Sequence, residues 1–189
     1  KAADSARRAE ALVRLGTLKR IAAQGKLGSI LQWTRDWLEE TDEKLVIFGV
    51  HRTILDTLAQ ELPESAVVHG GTAQNVRERN ILTFQTDPRC RVFIGSIKAA
   101  GVGLTLTASS TVLFAELGWT PAEHDQAEDR VHRIGQTSDS VMAHYIVGEE
   151  TIEQHIVEMI ERKRDVLSRV LDGKDPLPWF DDLMRKVMK

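Results

Sequence analysis

Arg130 and Arg133 stand three residues apart in "QAEDRVHRIGQ", Gln126 to Gln136, a stretch whose spacing predicts a helix broken at Gly135. On such a helix Gln126, Arg130 and Arg133 return to one face, and Ala127, Val131 and Ile134 form an apolar stripe beside it. Two guanidinium groups held this way suit a doubly charged oxyanion such as a phosphate. A second reading stands beside that one. Asp129 precedes Arg133 by four residues and Glu123, Asp125 and Glu128 are near, so both arginines can be surface ion pairs worth under about 1 kcal/mol.

Two other segments carry groups that meet phosphates. "SIKAAGVGLTLT", Ser96 to Thr107, follows the apolar run "RVFIG", and its small residues let a backbone approach a ligand while Ser96, Lys98, Thr105 and Thr107 add donors. Gly101 and Gly103 lack the third glycine of a dinucleotide fingerprint, and a structural turn would use the same residues. "HGG", His69 to Gly71, is a second tight turn after an apolar run. No G-x-x-x-x-G-K-[ST] loop occurs: Gly25-Lys26 is followed by leucine and has Arg20 where the first glycine belongs. Nor does any apolar run end in paired acids that hold magnesium, so the chain can touch a nucleotide but lacks the parts to bind and split one alone. His124, Glu128 and His132 fall at spacings of four and eight without an H-E-x-x-H arrangement, and are expected to be solvated helix residues rather than metal ligands. Cys90 reads as packing or loop, not nucleophile.

These segments are held by an alternation of two periods. Ala2 to about Gln24 is helical, with Ala11, Leu12, Leu15, Leu18, Ile21 and Ala22 as its stripe, and Gly25 to Gly28 interrupts it. Ser29 is the expected N-cap of a second helix, "ILQWTRDWLEET", with Ile30, Trp33, Trp37 and Leu38 on a shared face. Then "KLVIFGV", "AVVH", "RVFIG", "TVLFAE" and "VMAHYIV" read as buried strands, separated by the helical "RTILDTLAQEL", "TAQNVRERNILTFQ" and the arginine segment. Strand and helix in alternation predict a parallel α/β sheet wrapped by helices, with ligands beyond the carboxyl ends of the strands. "TIEQHIVEMIERKRDVLSRVLDG" predicts a long amphipathic helix ended by Gly173, followed by a short "WFDDLMRKVM" helix.

Composition bounds what this architecture serves. The 189 residues suffice for one core with a helical appendage, and no run of eighteen apolar residues suggests a membrane span. The N-terminus lacks a signal peptide's apolar centre and an initiator methionine, so the chain is expected to be a piece of a longer protein. A single cysteine fits a reducing, intracellular compartment. With 25 basic and 28 acidic side chains the net charge is −3, which leaves any nucleic-acid contact to a local patch.

Together, "KLVIFGVHRTILDTLAQEL", "VVHGGTAQNVRERNILTFQ" and "FIGSIKAAGVGLTLTASSTVLFAELGWTPAEHDQAEDRVHRIGQT" resemble motifs IV, V and VI of the superfamily-two helicases in the form used by SWI/SNF-type DNA translocases. The last block most resembles the annealing-helicase, or HARP-like, branch. The resemblance implies a RecA-like three-layer parallel sheet over residues 44–150, the second of two motor lobes, after an N-terminal helical segment (1–43) and before a brace helix and tail (151–189). It implies that Arg130 and Arg133 are arginine fingers for an ATP seated, with Mg, on the first lobe, and that Gln126 seats the interface between lobes. Ser96, Lys98, Gly101 and Gly103 match motif V, His51 and Arg52 match motif IV, and Gly70 and Gly71 match the turn after the next strand. All of these are implied to face the backbone of double-stranded DNA, and Trp119 matches a tryptophan that lies near DNA, with a core aromatic before Pro121 as the other reading of that residue. Ile97, Ala100 and Thr120 depart from the usual threonine, glycine and asparagine. The brace helix is implied to cross over the first lobe, leaving its apolar face partly exposed here. The isolated lobe is expected to be inactive. A contrasting reading is a non-catalytic protein-interaction or nucleotide-sensing domain on the same scaffold.

Overall fold

The computed structural model describes residues 2–100 and 103–171. The elements run α1 (Ala2–Gly25), α2 (Leu27–Glu40), β1 (Leu45–Gly49), α3 (Arg52–Glu61), β2 (Ala66–Val68), α4 (Gln74–Thr86), β3 (Val92–Ser96), α5 (Ile97–Ala100), β4 (Thr111–Phe114), α6 (Pro121–Glu128), β5 (Met142–Tyr145) and α7 (Ile152–Leu171). The five strands form one sheet in the order β2-β3-β1-β4-β5, every pairing parallel. Because successive strand residues face opposite ways, β1 feeds two cores. Val46 and Phe48 join Phe84, Phe93, Val112, Phe114, Ala127 and Val131 beneath α4 and α6. Leu45 and Ile47 join Ile30, Ile54, Leu55, Leu58, Ile94 and Leu113 beneath α2 and α3. The expected three-layer parallel α/β sandwich is therefore present. One expected buried strand differs: Met142 and Tyr145 of β5 are exposed, because β5 is an edge strand with β4 as its single partner among the described residues.

The helical pair at the start also departs from its pattern. Only Lys26 separates α1 from α2, and the chain keeps helical bonds across it, Lys26 N–H to Ala22 O and Ile30 N–H to Lys26 O. Lys26, not Ser29, occupies the N-cap position and makes no side-chain cap bond, because an ammonium has no lone pair to accept a backbone N–H. It donates to Ile146 O at 2.5 Å and pairs with Glu153 at 2.7 Å. The buried face of α1 is Ala11, Leu15, Lys19, Ala22 and Ala23, whereas the expected stripe members Leu12, Leu18 and Ile21 are exposed. The helix is rotated toward α7: Leu15 and Ala22 pack with Leu117, Ile152, Ile156, Met159 and Ile160. That contact also covers the apolar face of α7 over Ile152–Ile160, which the brace-helix resemblance implied would be partly exposed. Gly173 and the "WFDDLMRKVM" segment lie outside the described residues.

Lys19 is 1% exposed, and its ammonium lies 4.6 Å over the Trp119 ring without a hydrogen-bond acceptor among the described residues. Burial lowers its pKa from 10.5 to about 8, against the pull of Glu116, Glu123 and Glu153 and with a small push from Lys26. The unfolded chain thus holds this proton more tightly, so the penalty is full below about pH 8 and is relieved as pH rises toward 10.5. Lys19→Met is expected to stabilise the lobe at pH 7 by about 2 kcal/mol, the gain shrinking toward pH 10. Urea titrations at several pH values check this, and a variant no more stable than the parent at pH 7 would contradict it.

Candidate nucleotide and nucleic-acid edge

The carboxyl ends of β1, β2 and β3 bring together most of the residues expected to face a phosphate backbone. After β1 the chain turns at His51 into α3, and the turn is held by Glu116, a fully buried carboxylate just past β4. Glu116 Oε2 accepts the N–H groups of Val50 at 2.7 Å and His51 at 2.8 Å, while Oε1 meets His51 Nδ1. Gly49 permits this approach, since a Cβ there would stand 2.9 Å from Leu55 Cδ2 and 3.2 Å from Glu116 Oε2. His51 is therefore committed to a buried acid, and Arg52, exposed and 3.4 Å from Asp56, is the cation that this corner presents. The turn after β2 closes on itself: Thr72 N–H donates to His69 O, His69 N–H to Thr72 Oγ1, and Gly71 N–H to His69 Nδ1 at 3.1 Å. Arg52 Nη1 lies 3.4 Å from where a Gly71 Cβ would sit, so Arg52 and the Gly70-Gly71 turn form one surface. Beyond β3, α5 buries Ile97 and Ala99 and leaves Lys98 exposed beside Ser96. Gly103 has φ +61, a conformation that favours glycine, whereas Gly101 lies outside the described residues.

The arginines are placed differently from the expected helix. α6 begins on a capping box: Thr120 Oγ1 accepts Glu123 N–H, and Glu123 Oε2 accepts Thr120 N–H, with Pro121 at the first position. It stops at Glu128, so Gln126 is on the helix while Arg130 and Arg133 belong to a following turn, residues 129–136. The physical reason is a competing partner. Arg130 O, which a continuing helix would give to residue 134, instead accepts Leu106 N–H at 2.8 Å. Gly135 takes φ +104, and Gln136 folds back to donate to Ser109 O at 2.6 Å and Val131 O at 3.2 Å. Val131 is buried, but Ile134 is wholly exposed and leaves the predicted stripe. Arg133 Nη1 donates to Leu104 O and Thr105 Oγ1, both at 3.2 Å, and Arg130 Nε is buried without a hydrogen-bond partner. Among the described residues neither arginine pairs with a carboxylate, which removes the ion-pair reading of Asp129 with Arg133.

Trp119 is not gathered with the β1–β3 loops. Its ring lies under Lys19 against the cluster shared by α1 and α7, and its carbonyl accepts Lys163 Nζ at 2.8 Å. His124 is 1% exposed rather than solvated, its Nε2 accepting Gly118 N–H at 2.7 Å, and Glu128 accepts the Tyr145 hydroxyl. Cys90 is buried packing, and burial pushes its thiol pKa up. The site residues not singled out from the sequence are Glu116, Gln136 and Gln85. Glu116 did leave a signal, a lone acid closing the apolar run "TVLFAEL".

Residues 25–135 match the helicase conserved C-terminal domain. Over 151 residues the chain is 40% identical to the SWI/SNF-related matrix-associated actin-dependent regulator of chromatin subfamily A-like protein 1 of Xenopus tropicalis, covering 78% of this chain and 16% of that protein. It is 36% identical over 167 residues to the DNA annealing helicase and endonuclease ZRANB3 of Mus musculus, covering 85% of this chain and 16% of that one. Among solved structures, the crystal structure of the C-terminal part of the Fun30 ATPase domain aligns with TM-score 0.64 and 28% identity, over 79% of this chain and 48% of the other. The domain match takes in everything from the start of α2 to the arginine turn, the stretch that builds this edge, and the chain belongs to the helicase conserved C-terminal domain family in its RecA-like, SWI/SNF-type form.

Proposed function

We propose that this chain is the second motor lobe of an ATP-dependent translocase on double-stranded DNA, acting inside the cell with a first RecA-like lobe of the same protein. The observation that carries the reading is the arginine turn: Arg133 is steered by Leu104 O and Thr105 Oγ1, Arg130 has a buried Nε without a partner, and neither is neutralised by an acid among the described residues. Unneutralised guanidinium groups on a braced turn fit a phosphate chain. Arg130 and Arg133 would hold the γ-phosphate of ATP, Gln126 would seat the interface between lobes, and acids of the first lobe would hold Mg. Bound ATP supplies the phosphoryl group whose transfer drives the motor. Arg52, the Gly70-Gly71 turn, Ser96, Lys98 and the backbone at Gly101 and Gly103 would contact the DNA backbone. His51 would shape that surface through Glu116. Trp119 would act at the margin of the DNA surface, braced by Lys19. The relative named as a DNA annealing helicase supports a DNA substrate.

The lobe alone is expected to hydrolyse no ATP, whereas the full-length enzyme turns over when duplex DNA is added. Residues 1–189 should bind DNA weakly and with steep salt dependence, since a chain of net charge −3 offers few phosphate contacts, and Lys98→Ala should weaken binding about equally for all sequences. Turnover by the lobe alone that Arg133→Ala abolishes, or a sequence-specific complex that survives high salt, would overturn the reading.

A further inference from the structure

Between Gly103 and β4 the chain lays down a short strip, residues 104–109, that has no regular secondary structure of its own. Apart from Ser109 N–H on Leu106 O, its polar backbone groups look outside the strip for partners. From one side come the arginine turn's contacts: Arg133 on Leu104 O and Thr105 Oγ1, Arg130 O on Leu106 N–H, and Gln136 on Ser109 O. From the other side comes a single side chain, Gln85 of α4. Its Nε2 donates to Thr105 O at 2.8 Å and reaches Thr107 Oγ1 at 3.4 Å, while its Oε1 accepts Ala108 N–H at 2.8 Å. Both ends of the carboxamide are thus used on the strip, and Thr105 is held by Gln85 through its carbonyl and by Arg133 through its hydroxyl.

We infer that Gln85 is a positioning residue for Arg133: it fixes the strip against which the guanidinium is steered, and ties the helix that follows the Gly70-Gly71 turn to the arginine turn. The inference rests on the proposed role of the arginines. Gln85 is assigned no substrate contact, since both ends of its carboxamide are used on the strip. Its removal frees Thr105 O and Ala108 N–H and loosens the seat of a group whose placement sets the rate. Misplacement by about 1 Å at such a site costs on the order of a hundredfold.

The test uses the full-length enzyme, with ATP and duplex DNA as probes. Gln85→Ala is expected to lower DNA-stimulated kcat by roughly tenfold to a hundredfold. KM for ATP, DNA affinity and Tm should stay close to the parent's. A merely structural role would move Tm and not separate kcat from KM. In an Arg133→Ala background the further loss from Gln85→Ala should vanish, because the two act as one unit. Should Gln85→Ala fail to fold, Gln85→Glu decides: it keeps the volume and the acceptor for Ala108 N–H but loses the donor to Thr105 O, and the same loss of kcat is expected. A folded Gln85 variant with parental kcat, or a loss that multiplies on top of Arg133→Ala, overturns the inference. If Arg133→Ala alone turns over normally, the arginine reading itself fails, and Gln85 has nothing to position.

Discussion

Arg133→Ala in the full-length enzyme is expected to lower DNA-stimulated ATP turnover about a thousandfold, about 4 kcal/mol of barrier, with little change in KM for ATP. An interaction that strengthens as charge develops on the transferring phosphoryl group appears in kcat rather than in ground-state affinity. Arg130→Ala should behave alike, since the two guanidiniums sit on one turn and neither is neutralised by a carboxylate among the described residues. Arg133→Lys should remain far below the parent. Arg133 spends Nη1 on Leu104 O and Thr105 Oγ1, which would leave its other nitrogens to the phosphate in the proposed role, a division of labour that a point-like ammonium cannot reproduce. A surface ion pair, by contrast, would lose under about 1 kcal/mol of stability and leave turnover intact. Steady-state kinetics with thermal melts on the same variants separate these outcomes. Near-parental turnover, or a loss that tracks unfolding, would reduce the turn to a structural feature.

Lys26→Ala is expected to cost about 3–5 kcal/mol of folding stability, a large part of the roughly 5–15 kcal/mol that a domain possesses. Lys26 is 6% exposed and Glu153 is 0% exposed; their 2.7 Å pair pins the junction of α1 and α2 to the first turn of α7. Glu153 Oε2 also accepts Gly148 N–H at 2.9 Å, and Lys26 Nζ serves Ile146 O, so either partner alone would remain a buried charge with part of its shell missing. Burial lowers the Lys26 pKa, and the pull of Glu153 offsets that only in part. Replacing both, Lys26→Met with Glu153→Leu, should recover most of the loss, because no charge is then stranded. Urea midpoints of the parent, Lys26→Met, Glu153→Leu and the double variant measure the cycle. A single variant within about 1 kcal/mol of the parent would show that the pair is solvated in solution.

The sheet was legible because parallel strands covered on both faces read as near-continuous apolar runs, and "LVIFG", "VFIG" and, after Thr111, "VLF" do. β5 has a similar run, yet its edge position depends on strand order, which no local pattern encodes. Period-3.6 spacing carried the helix prediction past Glu128, where a bond from Leu106 to Arg130 O, long-range in sequence, ended it. The Ser96–Lys98 loop was legible from the rule that ligands gather beyond strand carboxyl ends, whereas Arg52 and the DNA-facing part of Gly70 and Gly71 were legible only through the resemblance to motif IV and the turn after the next strand. Glu116, Gln85 and Gln136 act through backbone groups of distant segments, and nothing in their neighbours' identities marks those partners. Lys19 joins the buried face of α1, beside rather than within the expected stripe, where Trp119 offers its ring face to the ammonium, a pairing visible only once α1 is docked.

The strand order has a consequence for synthesis. β1 is the middle of the sheet, flanked by β3 and β4, yet of the five strands described it is the first to leave the ribosome. Its apolar residues, Leu45 to Phe48, must wait for Phe93 and Leu113 to emerge, and at about 5–20 residues per second that wait lasts seconds. Helices α1 and α2 arrive before it, and Ile30, Trp33 and Trp37 provide a surface of the kind Leu45 and Ile47 meet in the finished fold. Helices α1 and α2 are therefore expected to cover one face of the nascent β1, as an internal chaperone would, until its sheet neighbours are made.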